Sequence, residues 1–154
     1  MNIAGKQLVS WLVIGYGNTL RSDDAVGPMA VEEMDRLGLP GVQTASYPLL
    51  APEAAEAVSR ARQVIFVDAV TGEHPCVTLR KLKAAHSSQV MAHAARPETI
   101  LALARDVFGH CPDAWLLAIP VQDLSLGERL SPLAEAGLRQ AIELLQARCK
   151  VRPC

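Results

Sequence analysis

The chain has 154 residues, half of them hydrophobic and 20% charged, with a formal net charge of -1 at pH 7. That length suits one domain with one core, which would bury roughly 70% of the surface the unfolded chain exposes. The near-balanced charge excludes the electrostatic footprint of a nucleic-acid or anionic-membrane binder.

Lys6 followed by "LVSWLVIGY" has the basic and apolar parts of a signal peptide. No small-residue cleavage pattern follows, and the run passes into a charged "RSDD" stretch, so it reads as a strand feeding a loop. A strand is predicted over residues 9 to 14. From Val26, apolar residues recur at Met29, Ala30, Met34 and Leu37, the spacing of a helix, with Pro28 in its first turn and Gly38 as its stop. Residues 42 to 47 predict a second strand, and "APEAAEAVSRA" a short helix starting near Pro52.

"QVIFVDAV", residues 63 to 70, is a buried strand whose single charge, Asp68, lies at its C-terminal end. Residues 76 to 82 predict another strand. The "TGEHP" connection before it is too short for a parallel crossover, so this strand is expected to run antiparallel to its predecessor. A helix over 97 to 108 begins at Pro97 and ends before Gly109, "AWLLAIPV" is a further strand, and Ser131 and Pro132 open a terminal helix. No repeat, linker or low-complexity segment interrupts this order, which implies a single α/β domain over residues 1–154. Its expected form is three layers, with a mixed, mostly parallel sheet of about five strands and helices on both faces. Ligands bind such sheets beyond the carboxyl ends of the strands, where the loop after the first strand and Asp68 both belong.

That first loop reads "GYGNTLRSDDAVG", residues 15 to 27. Gly15, Gly17 and Asn18 have the look of a phosphate-cradling turn. The third glycine of a dinucleotide fingerprint is replaced by Leu20, no Walker lysine follows, and Asp23 and Asp24 put negative charge at the helix start, where a pyrophosphate would sit. A nucleotide-binding domain is therefore disfavoured. The acidic pair reads either as helix-capping residues, with Asp23 suited to that role, or as part of a ligand set. Asp24 and Asp68 can converge at the sheet edge, and His93, on a loop before a helix, can reach the same edge. Two carboxylates and an imidazole suit a borderline divalent metal and leave positions open for substrate or water. His86 competes with His93, whereas His74 and His110 read as solvated.

Cys76, Cys111, Cys149 and Cys154 lack CxxC spacing and scaffold density, so reduced thiols in the cytoplasm are expected. No segment approaches the roughly 18 continuous apolar residues of a membrane span. Neither a membrane nor a nucleic-acid partner is expected.

"GYGNTLRSDDAVGPMAVEEM" resembles the opening motif of the nickel-iron hydrogenase maturation endopeptidases, a strand followed by G-x-G-N-x-L-x-x-D-D/E-x-x-G. The likeness continues through "VIFVDAV", "AHAARPETILALARDVFG" and "GERLSP", in the family's order and across most of the chain. It implies that Asp24, Asp68 and His93 recognise nickel already inserted in the precursor of a hydrogenase large subunit. A short C-terminal peptide would then be removed from that precursor. No resident cofactor is implied, since nickel arrives with the substrate, and a monomer is expected. Asp24, or failing that Asp68, would activate the attacking water, with Gly15, Gly17, Asn18 and Asp23 as the supporting loop. No serine or cysteine nucleophile is implied. Where the family often has Ser or Thr before the histidine, this chain has Ala92, which leaves His86 as the competitor of His93. The rival function is a nickel-dependent chaperone that binds the precursor without cutting it.

Overall fold

The computed structural model describes residues 8–72, 75–87 and 96–150. In chain order the elements are β1 (Val9–Tyr16), a 3-10 turn (Ser22–Ala25), α1 (Val26–Leu37), β2 (Val42–Tyr47), α2 (Ala54–Ser59), β3 (Ala61–Val70), β4 (Thr78–Leu82), α3 (Pro97–Phe108), β5 (Asp113–Pro120) and α4 (Pro132–Arg148). The strands form one five-stranded sheet in the order β2-β1-β3-β5-β4. β1, β2, β3 and β5 are parallel, and β4 is antiparallel to β5.

The alternation of side chains along β1 and β3 explains the layers. Val13, Ile65 and Val67 meet Val26, Ala30 and Met34 of α1 and Leu138, Ala141 and Leu145 of α4 on one face. Leu12, Ile14, Val64 and Phe66 meet Ala54 and Val58 of α2 and Ile100, Leu101 and Ala104 of α3 on the other. A parallel strand covered on both faces must be apolar at odd and even positions alike, which is why these strands read as continuous hydrophobic runs. The three-layer, mostly parallel expectation is borne out.

Two helices end as their glycines indicate. Gly38 (φ 60°) and Gly109 (φ 81°) take the left-handed conformation and donate their N–H groups to the last turns of α1 and α3. Ser131 caps α4, its side chain accepting from the Ala134 N–H, and Pro132 opens the helix. The strand after "TGEHP" does run against β3, but its neighbour is β5. β5 inserts between the two, so the short connection steps across one strand and does not form a hairpin.

The strand order reverses between β1 and β3. The chain leaves β1 toward β2 on one side and returns to place β3 on the other. Sheets of this kind bind ligands at such a reversal, beyond the carboxyl ends of the strands, here those of β1 and β3. Both elements predicted to carry chemistry end there.

Candidate active site at the carboxyl edge of β1 and β3

Three glycines bring the Asp24 loop down onto the sheet. A Cβ on Gly15 would lie 2.2 Å from the Gly27 carbonyl oxygen, and one on Gly27 would lie 2.7 Å from the Val67 oxygen and 2.8 Å from the Tyr16 oxygen. The start of α1 therefore rests directly on the β1–β3 pair, closer than any side chain permits. Gly17, with a positive φ of 151°, faces the Asp24 carbonyl, which a Cβ would meet at 2.0 Å. The glycines serve backbone approach, not phosphate binding.

Asn18 pins the turn as its side chain suggested, Oδ1 accepting from the Leu20 N–H at 2.9 Å. Its own N–H donates to Asp24 Oδ2 at 2.6 Å. Asp24 is thus oriented by the turn it follows and remains partly exposed. Asp68, also partly exposed, accepts from the Tyr16 hydroxyl and the Ala69 N–H. Burial, reinforced by the negative charge of Asp24 and opposed by these two hydrogen bonds, raises the Asp68 carboxyl from 3.8 to about 6. The charge of Asp24 is felt at Asp68, so the two carboxylates stand in one neighbourhood. Tyr16 holds its own proton more tightly than a free phenol, first through burial and then through the Asp68 charge and hydrogen bond. It therefore remains a donor to Asp68.

Asp23 corrects the capping assignment. The N-cap position of α1 is Ala25, with no side-chain cap, and Asp23 points instead into the β5–α4 connection. It is fully buried. It accepts from the Ser131 N–H (2.7 Å), the Ser131 hydroxyl (2.6 Å), the Gln122 N–H (3.0 Å) and the Asp123 N–H (2.9 Å). Burial alone would raise its carboxyl, but these bonds, led by Ser131, outweigh it and hold the group below the usual range. Asp23 does support a helix start, that of α4, a partner more than 100 residues away in sequence.

The histidines divide. His93 and His74 lie outside the described residues. His86 is exposed beside Arg105, after a strand whose last residue, Leu82, pairs with Ala114 near the amino end of β5. Asp68 pairs with Ala118, toward the opposite end, and Ser87 bonds Asp106 near the last turn of α3. His86 is therefore not brought to the acidic pair. His110, read as solvated, is partly buried and its Nε2 lies 2.9 Å from the Ala61 carbonyl oxygen. Among the described residues no group of three His, Cys, Asp or Glu side chains is arranged to hold a metal. Cys149 is buried, and burial pushes its thiol up to about 12, which leaves no thiolate for nucleophilic attack.

Several solved structures share this fold across nearly the whole chain. The chain resembles the maturing endopeptidase HybD of E. coli over 90% of its length and 91% of that chain, with a TM-score of 0.71 and 20% identity. The maturation protease HycI of Thermococcus kodakarensis matches over 94% of both chains, at a TM-score of 0.70 and 21% identity. A hydrogenase 2 maturation peptidase from a Thaumarchaeota archaeon matches over 91% of this chain and 98% of its own, at 0.66 and 23%. The chain has the hydrogenase maturation peptidase fold. No protein-family model matches it, and no curated protein does either. The near-complete coverage on both sides means that the likeness extends over the whole α/β domain and is not confined to one part of it.

Sequence reasoning missed Tyr16 and the Ser131–Asp23 knot. Tyr16 sits between two glycines in the motif, where it reads as one more strand residue. The knot joins segments whose proximity no local pattern encodes.

Proposed function

We propose that this chain is an endopeptidase that removes a C-terminal peptide from the nickel-loaded precursor of a nickel-iron hydrogenase large subunit. The observation that supports the reading is that Asp24 and Asp68 stand at the β1–β3 switch point, near enough for the charge of Asp24 to be felt at Asp68, on a fold shared with hydrogenase maturation peptidases. Nickel belongs to the substrate. Asp24 and Asp68 keep acceptor capacity beyond their present hydrogen bonds, and His93 supplies the third ligand implied by the motif. Such a sparse oxygen-rich set suits an ion whose remaining ligands come from the precursor.

In this reading Asp24 orients and deprotonates a water molecule. The water oxygen attacks the scissile carbonyl carbon, the C–N bond breaks, and the departing amine takes up the proton. Asn18 holds Asp24 in place for that step, and Tyr16 holds Asp68. The enzyme acts in the cytoplasm, as a monomer, on a protein substrate.

Incubating the purified protein with nickel-loaded precursor tests this. The expected result is loss of the C-terminal peptide mass from the precursor, abolished in Asp24→Asn. Stable complex formation with no mass loss would replace the peptidase by the chaperone.

A further inference from the structure

Six large apolar side chains are exposed among the described residues. Met29 and Val107 lie on helices; Leu20, Leu49, Val70 and Leu126 end or follow β1, β2, β3 and β5, all at the carboxyl edge. Leu20 is 58% exposed and Leu126 86%. Both are held firmly. The Gly127 N–H donates to the Leu20 carbonyl at 2.9 Å and the Ser22 N–H to the Gly127 carbonyl at 2.8 Å, forming a parallel bridge between Arg21 and Gly127. Each leucine stands one residue before the bridged pair, so the two lie in register on adjacent segments.

Three further bonds fix the same segments: Arg21 Nε to the Leu124 carbonyl, the Ser22 hydroxyl to the Ser125 carbonyl, and the Ser125 hydroxyl to Asp123 Oδ1. Water-exposed leucines contribute little to folding, yet this backbone is tied as closely as a core turn. The ties continue to the acidic site. Leu20 N–H bonds Asn18, whose N–H bonds Asp24, and the Asp24 N–H returns to the Arg21 carbonyl.

We propose that Leu20 and Leu126 form a rigid apolar platform that binds apolar side chains of the precursor next to the bond to be cut. This rests on the peptidase reading. The occupant follows from position: a polypeptide held at Asp24 lies only a few residues from the platform, and only apolar side chains gain by covering two leucines. A second copy of this chain seated there would crowd the Asp24 loop and hinder substrate entry.

The test is steady-state cleavage of nickel-loaded precursor by Leu20→Ser, Leu126→Ser and the double variant, with Val107→Ser on α3 as control. KM should rise about tenfold for each single variant, with kcat near wild type. The control should keep both constants, and urea midpoints should stay unchanged. An unchanged KM in the double variant overturns the platform. So does a wild-type dimer that the double variant dissociates while KM stays fixed, since the occupant is then a second copy. Absence of cleavage by wild type is instead a failure of the peptidase reading. Sedimentation binding of the precursor then decides the platform: weaker binding by the double variant upholds it, and equal binding, or no binding by wild type, overturns it.

Discussion

Asp23 and Asp24 are adjacent in sequence and opposite in use. Asp23 is sealed from water with four hydrogen bonds that hold it ionised and bind the β1–α1 loop to the start of α4. Asp24 is partly exposed and shares a site with Asp68, whose carboxyl is driven up where that of Asp23 is driven down. Acceptor capacity makes the difference. A carboxylate whose lone pairs are filled by the fold supports structure, and one with lone pairs left open at the sheet edge is available to a cation or a water molecule.

Breaking the sealed carboxylate should have the largest effect. Asp23→Ala leaves four donors unsatisfied around a buried space, and we expect a loss of about 3–5 kcal/mol in urea unfolding. An equally stable variant would show that the knot is incidental. Asp24→Asn tests the other half of the comparison: folding stability within about 1 kcal/mol of wild type, with precursor cleavage reduced at least about a hundredfold.

Gly15→Ala asks whether both aspartates depend on the close seating of α1. Its Cβ would meet the Gly27 oxygen at 2.2 Å and the Val31 side chain at 2.6 Å. We expect about 2–4 kcal/mol of destabilisation, measured by thermal or urea unfolding, because backbone cannot yield as a flexible side chain would.

The smallest effect concerns pH. Asp68 binds its proton more tightly in the folded protein, so its ionisation costs stability above about pH 6, and this cost fades as pH falls from about 6 toward 3.8. Asp23 has the reverse sign: its contribution is present above the ordinary carboxylate range and is lost as pH falls through its lowered value. Asp68→Asn should therefore stabilise the metal-free protein at pH 8 by on the order of 1 kcal/mol, while cleavage is lost. Its advantage should shrink toward pH 4. A pH-independent difference would mean that Asp68 does not titrate in this range.

Local patterns made much of this protein legible. The 3.6-residue period of α1, the continuous apolar runs of β1, β3 and β5, the left-handed stops at Gly38 and Gly109 and the Ser131 cap all follow from short-range sterics and hydrogen bonding. The motif glycines and aspartates were visible as a group for the same reason. Which aspartate does what was not visible. Helix-cap preference favoured Asp23 at the start of α1, yet the bonds that claim it come from Ser131, Gln122 and Asp123, brought close only when β5 and α4 pack against the sheet. The sequence by itself determined the elements and the edge to which Asp24 and Asp68 belong, because periodicity and strand ends are local properties. Tertiary structure alone decided that β5 separates β3 from β4, that Tyr16 holds Asp68, and that His86 leaves the site, because each depends on pairings between segments distant along the chain.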